Sequence, residues 1–221
     1  HFRSVFKKPD FVTTPTKSAA IVFKNGFKKE LHVVSNGIDL KIFNSGNNGG
    51  YLKKKYQIPD KKILLYVGRL DKEKNIDWII KALSIALKKE DIHLIIVGRG
   101  SQTKRLKKIA EKLGLKNSIT FTGAIRDRDL PNMYALADCF VMAGTAELQS
   151  IATMEAMASG LPIIAVNSRA LPELVSDGGN GYLFKEGDIQ SLADVIIKIF
   201  ANPTLREKMG RRNNDQSSKA N

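Results

Sequence analysis

From Lys62 onward the chain alternates short apolar runs with segments whose apolar residues recur at helical spacing. Ile63–Val67 (ILLYV) and His93–Val97 (HLIIV) are runs of the first kind, closed by Gly68 and Gly98. Shorter runs stand at Ser118–Phe121, Asp138–Met142, Pro162–Val166 and Tyr182–Phe184. Between them, Asn75–Leu87 sets Ile76, Ile79, Ile80, Leu83 and Leu87 on one helical face. Residues 101–113 do the same with Leu106, Ile109, Ala110 and Leu113. Further helices are expected over Asp129–Leu136, Ser150–Ser159 and Ile189–Ala201. Strands without polar alternation, each separated by a helix, are covered on both faces and form parallel sheets. The predicted fold class is therefore α/β, a Rossmann-like doubly wound parallel sheet.

The first 43 residues read as a different unit. A strand (Phe11–Thr14), a helix (Lys17–Gly26) and a second strand (Leu31–Ser35) are too few to bury a core alone. Asn44 to Gly50 (NSGNNGG) has the composition of a flexible linker. The polar stretch from Arg211 to Asn221 is expected to fray as a tail. The organisation predicted is thus 1–43, a main domain over 44–210, and a tail over 211–221.

Composition narrows the class. Hydrophobic residues at 43% and charged residues at 26% are those of a globular domain. No apolar run approaches the roughly 18 residues of a membrane span, and no leader is readable after His1. The one cysteine, Cys139, lies in an apolar run, which excludes a disulfide framework and points to a cytoplasmic location. The net charge of +14 is uneven, since residues 1–62 hold 13 Lys/Arg against 4 Asp/Glu. A basic edge of that kind suits phosphates, anionic lipid headgroups or nucleic acid, and equally suits a solvated lysine-rich surface.

In an open parallel sheet ligands bind beyond the carboxyl ends of the strands, and three of those ends carry unusual residues. After the first strand comes GRLDKEKN, in which Gly68 lets the backbone approach a ligand while Arg69 and Lys74 stand at the mouth of a helix. A helix N-terminus disfavours cations unless an anion is shared between them, which suggests a diphosphate; a charged solvent-exposed turn is the other reading. After the next strand, Gly98-Arg99-Gly100-Ser101 opens a glycine-rich strand-to-helix turn, compatible with a nucleotide beside it. It lacks the third glycine and the distant acid of a dinucleotide fingerprint. The third segment, Glu147 to Gly160 (ELQSIATMEAMASG), has Ser150 as a helix N-cap. Within it Ile151, Met154, Glu155 and Ala158 share a face expected to be buried, and a buried Glu155 needs hydrogen-bond partners. Those partners are either ribose hydroxyls lying over the helix start or a purely structural group. Asp127-Arg128-Asp129 fits a metal-binding Asp-x-Asp pattern, but at a helix start its aspartates are expected to act as caps. His1, His32 and His93 are scattered, so no metal site is predicted.

In order, SNGID…F at residues 35–43, VGRLDKEKN, LIIVGRG, FTGAI…LPNMYALADCFVM, the E-x7-E pair Glu147 and Glu155, and ALPELVSDGGNGYLF resemble glycosyltransferase family four, the retaining group 1 enzymes of the GT-B fold. The resemblance covers roughly residues 10–210. It implies that this chain is the C-terminal, donor-binding half, with residues 1–43 ending an acceptor-side N-terminal domain and crossing over. It further implies that Arg69 and Lys74 clamp the donor diphosphate, and that Glu147 holds donor-sugar hydroxyls or steadies the reacting centre. By the same resemblance Glu155 binds the ribose, the amides near Ser150 and Ile151 meet the distal phosphate, and the segment around Ile125 borders the base. Leu148, Gln149 and Ser150 depart from the Gly-Phe-Gly type of residue common after the first glutamate, which leaves the sugar open.

The function expected is retaining transfer from a nucleoside-diphosphate sugar, without a cofactor or metal, by an enzyme whose acceptor domain lies outside this chain. The chain alone is expected to bind donor and transfer nothing. A sugar-nucleotide epimerase of the same architecture and a basic nucleic-acid-binding domain are the alternatives. The second lacks interleaved aromatics for base stacking, so nucleic acid is not the expected partner. Peripheral association with an anionic membrane through residues 1–62 is a further expectation.

Overall fold

The apolar runs pair side by side. In the computed structural model, which describes residues 10–24 and 30–220, they form one six-stranded, wholly parallel sheet. Its strands are β3 (Lys62–Val67), β4 (Ile92–Val97), β5 (Ile119–Gly123), β6 (Cys139–Met142), β7 (Ile163–Val166) and β8 (Gly181–Phe184). They lie in the order β5-β4-β3-β6-β7-β8. β3 is central: Leu64 is in register with Leu94 on one side and Cys139 on the other. Strand order reverses between β3 and β6, so the loops after these two strands diverge there and leave a crevice.

The helices cover both faces, as runs such as Leu64–Tyr66 and Leu94–Ile96, fully buried, require. They are α2 (Gly50–Tyr56), α3 (Ile76–Ala86), α4 (Thr103–Lys112), α5 (Leu130–Tyr134), α6 (Ile151–Ala158), α7 (Leu171–Leu174), α8 (Ile189–Phe200) and α9 (Pro203–Ala220). α3 packs on α4 and α8, and α9 packs on α6. Ahead of the sheet, β1 (Val12–Thr14), α1 (Lys17–Phe23) and β2 (Leu31–Val33) make a two-stranded parallel unit. The expected extension of α1 to Gly26 falls outside the described residues.

Two expectations are corrected. Residues 44–50 are not a free linker. Asn44 and Asn47 donate side-chain amides to the carbonyls of Leu40, Lys41 and Ile42, and a Cβ on Gly49 would meet the Asn132 carbonyl at 2.1 Å. Asparagine and glycine serve there as turn formers and as a point of close approach.

Nor does the tail fray. Residues 211–220 are the second half of α9, and Asn213 within it is fully buried. Its Nδ2 donates to the Leu161 and Asn180 carbonyls at 2.7 and 2.9 Å, while its Oδ1 accepts from Asn180 Nδ2 at 2.9 Å. One amide therefore satisfies three polar groups that lie away from water, a pattern invisible to hydropathy. Asn213→Ala should leave the Leu161 carbonyl unmet and the Asn180 carbonyl with the Ile163 N–H alone, and lower unfolding free energy by about 1–3 kcal/mol. Urea unfolding checks this, and a loss below about 0.5 kcal/mol, the scale of ordinary surface changes, would count against the clasp.

Candidate functional site

At the carboxyl edge, the turns after β3, β4 and β5 are bonded backbone to backbone. Gly68 donates to the Val97 carbonyl at 3.0 Å, Leu70 to Arg99 at 2.9 Å and Gly98 to Gly123 at 2.9 Å. Gly98 has φ +132° and its Cβ would fall 1.9 Å from the Gly68 carbonyl oxygen, so no other residue fits. Beneath the first turn the buried Tyr66 hydroxyl donates to the Arg69 carbonyl at 2.9 Å. Burial in that apolar floor, with the Glu147 charge nearby, pushes the Tyr66 phenol far up and keeps it a neutral donor.

The charges expected to await an anion already have partners. Arg69 reaches Asp71 at 2.7 Å and Glu73 at 3.0 Å while its own side chain stays 69% exposed. Asp71 also accepts from the amide and hydroxyl of Ser101, at 3.0 and 2.9 Å, and these bonds hold its carboxyl below the ordinary range. Lys74 Nζ lies 2.6 Å from Glu147 Oε1, with the two side chains only 16% and 10% exposed. This ion pair joins residues 73 positions apart and closes the crevice between the β3 and β6 turns. Thr145 N–H donates to the Glu73 carbonyl at 3.2 Å and Asn75 Nδ2 to Ala143 at 3.1 Å, so the two turns are zipped along their length. A Cβ on Gly144 would lie 2.5 Å from Glu147 Oε1, which makes that glycine a condition of the pair.

α6 starts beside this pair. Ser150 is its N-cap and accepts from Thr153 N–H at 3.3 Å. The expected face is buried only in part: Ala158 is buried and Met154 and Glu155 half-buried, but Ile151 is 40% exposed, and Thr153, Ala156 and Met157 form the rest of the buried side. Glu155 consequently sits at the margin of the core. There its Oε2 accepts a 2.8 Å hydrogen bond from Tyr134. Burial raises the Glu155 pKa, and the Tyr134 hydrogen bond opposes part of that rise. Ile125, after β5, is half-buried against the core.

The structure thus brings Gly68, Arg69, Lys74, Glu147 and Ser150 to one edge. It adds Tyr66, Asp71, Ser101, Gly144 and Tyr134, which carry no signal in a single sequence beyond being polar or small. Asp129 of the Asp-x-Asp pattern stands at the N-cap position of α5, as expected, but its side chain makes no capping bond. Asp129 is buried and accepts from Lys55 Nζ at 2.9 Å, Tyr51 Oη at 2.9 Å and Arg126 Nε at 3.2 Å. The Lys55 bond leads the causes that bring its pKa down to about 2. It docks α2 against the sheet edge. Among the described residues no group of three metal-type ligands occurs.

The family model described as "Glycosyl transferases group 1" matches residues 51–216. The alpha-monoglucosyldiacylglycerol synthase of Streptococcus pneumoniae is 33% identical over 186 residues, 81% of this chain and 42% of that one. A GDP-mannose-dependent alpha-(1-6)-phosphatidylinositol monomannoside mannosyltransferase of Mycobacterium tuberculosis is 32% identical over 72% of this chain and 43% of its own length. The chain therefore spans less than half of these two curated relatives. Among solved structures, Anabaena Alr3699/HepE in complex with UDP and glucose superposes at a TM-score of 0.87, with 22% identity, over 98% of this chain and 60% of that one. The C-terminal domain of a glycosyl transferase group 1 family protein from Francisella tularensis is 28% identical. It matches at 0.75 over 83% of this chain and 97% of that domain.

The raised Glu155 pKa makes a signed prediction. A carboxyl whose folded pKa lies above its unfolded value of about 4.3 destabilises the fold as pH rises through the folded pKa, and costs nothing below the unfolded one. Glu155→Gln should therefore melt above the unsubstituted protein at about pH 8 and match it at about pH 4. A lower melting temperature at the higher pH would show that the carboxylate is structural.

Proposed function

The chain belongs to the group 1 glycosyl transferases of the GT-B fold, and from that we propose that it is the donor-binding half of a retaining enzyme that takes a nucleoside-diphosphate sugar without a metal ion. The observation that carries the reading is the Lys74–Glu147 pair at the strand-order reversal, beside the start of α6. In a crevice this secluded, a lysine beside a helix N-terminus is the arrangement that stabilises a departing diphosphate.

Each residue then has a task. Lys74 turns from Glu147 to the donor diphosphate, joined by Arg69, whose exposed guanidinium needs little desolvation to do so. Glu147, released from the lysine, accepts hydrogen bonds from the donor sugar and steadies positive charge at the reacting carbon. The amides at Ser150 and Ile151 take the distal phosphate, Glu155 takes the ribose hydroxyls, and Ile125 lies along the base. Gly68 and Gly98 keep the backbone low enough for the ligand to approach. Charge building on the leaving nucleoside diphosphate is met by cations and N–H dipoles, which is work a metal performs elsewhere.

Transfer rather than epimerisation is supported by the named relatives, a synthase and a mannosyltransferase. Both names place a lipid in the acceptor or product, so contact with a membrane surface belongs to this proposal. Holding the acceptor is assigned to an N-terminal domain beyond these 221 residues.

Calorimetry with uridine and guanosine diphosphates in chelator tests the reading. The chain should bind one of them with metal removed and transfer no sugar alone, because acceptor positioning supplies about 7–11 kcal/mol of barrier reduction. Arg69→Ala and Lys74→Ala should each weaken binding about tenfold or more, as loss of a charge-assisted hydrogen bond implies. Arg69→Ala is the cleaner variant, since Lys74→Ala also strands the Glu147 carboxylate. Unchanged affinity in both, or binding abolished by chelator, would overturn the assignment.

A further inference from the structure

Among the described residues, the densest exposed cationic surface lies beyond position 62. Of the basic residues before position 63, Lys53, Lys55, Lys61 and Lys62 are paired with Asp60, Asp129, Asp91 and Glu90 at 2.7–2.9 Å. Arg3, Lys7, Lys8, Lys28 and Lys29 fall outside the described residues. Residues 99–118, by contrast, hold seven basic side chains and one acidic. Six of the seven lie on α4 and the turn after it: Lys104, Arg105, Lys107, Lys108, Lys112 and Lys116, all exposed.

This helix is built against its own electrostatics. Its first turn has no acid and begins Lys104-Arg105, where the positive end of the helix dipole disfavours cations. Lys104 and Lys108, and Lys108 and Lys112, are like charges one turn apart, each spacing a small destabilisation. Relief is slight. Arg105 stands 3.7 Å from Asp77, and Lys107 lies over the half-buried Phe121 ring at 5.7 Å. Glu111, the one acid on the helix, makes no ion pair within 4 Å among the described residues. At the end of the cationic face Leu113 is 41% exposed, between Lys112 and Lys116.

We propose that the exposed face of α4 docks on an anionic lipid bilayer, with the lysines over the headgroups and Leu113 at the acyl boundary. Charge complementarity selects the partner's sign, and an apolar tip among lysines selects a bilayer over a polyanion in water. A nucleic acid would be gripped by exposed aromatics interleaved with the cations, and the aromatic on this face, Phe121, is half-buried beneath Lys107. The apolar side of α4, Leu106 and Ala110, stays in the core, so the helix lies on the membrane without leaving the domain. This surface is independent of the donor site, and the two can fail separately.

The test is sedimentation with vesicles of phosphatidylcholine alone and of phosphatidylcholine with phosphatidylglycerol, at low and high salt. The unsubstituted chain should bind the anionic vesicles only, and salt should release it. Lys104→Glu/Lys108→Glu/Lys112→Glu should lose that binding about tenfold or more, yet melt no lower and keep the same nucleoside diphosphate affinity. Lys24→Glu/Lys41→Glu/Lys54→Glu, which changes the same charge elsewhere, should bind nearly as the unsubstituted chain does. Equal binding to both vesicle types, equal losses in the two variants, or capture by a homopolymeric RNA in preference to anionic vesicles would each overturn the proposal.

Discussion

The geometry of the carboxyl edge depends on the separation of two turns that the fold drives apart and one ion pair draws together. A doubly wound sheet must reverse strand order somewhere, and here the reversal parts β3 from β6. Lys74 and Glu147 bridge the gap at 2.6 Å, in a place dry enough that neither charge tolerates solitude. Around them the Thr145–Glu73 and Asn75–Ala143 bonds keep the turns parallel, and Gly144 leaves room for the carboxylate. Move any of these and the crevice changes shape before any ligand arrives.

That arrangement changes why the cations matter. Cations at a helix mouth suggest an unmet need for an anion, yet Lys74 is met by Glu147 and Arg69 by Asp71 and Glu73. The folded chain is internally balanced at this edge. Any anion that binds must exchange with a carboxylate already in place, so its affinity is a difference between two pairings rather than the strength of one. A diphosphate, with more charge and more acceptor oxygens than a carboxylate, is suited to win such an exchange.

How much of this was legible follows from what each residue depends on. Strands such as Ile63–Val67 are dictated by local apolar runs, and the turns that close them by their glycines, so the sheet, the position of Gly68, Arg69 and Lys74 at a strand end, and Ser150 as a helix cap are readable in one dimension. The buried side of α6 is only partly legible, because Ala156 beside Thr153 carries too little hydrophobic contrast to mark a face. The N-cap position of Asp129 is legible from its neighbours, while two of its side-chain partners, Tyr51 and Lys55, lie more than seventy positions away. The same holds for Asn213: a polar stretch looks like a tail unless the buried carbonyls it serves are known. What escapes the sequence is polar pairing across distance, for which hydropathy offers no period.

Of the residues after Glu147, Gln149 gains a reason from the same kind of pairing. Leu148 offers its carbonyl to the Thr16 hydroxyl at 2.7 Å, and Gln149 both accepts from the Asn36 amide at 3.0 Å and donates to Ser35 Oγ at 2.7 Å. Ser35 and Asn36 follow β2, in the chain that crosses from the first unit to the second. The same first unit is tied a second time, where Glu173 of α7 accepts from the backbone amides of Lys17 and Ser18 at 3.0 and 2.7 Å. The turn that presents Glu147 is therefore held from both sides, by Lys74 of its own sheet and by the crossover. Small flexible residues at 148–150 would free that turn to follow a ligand. The Gln149 side chain, with the backbone carbonyl of residue 148, instead binds its position to that of the N-terminal unit.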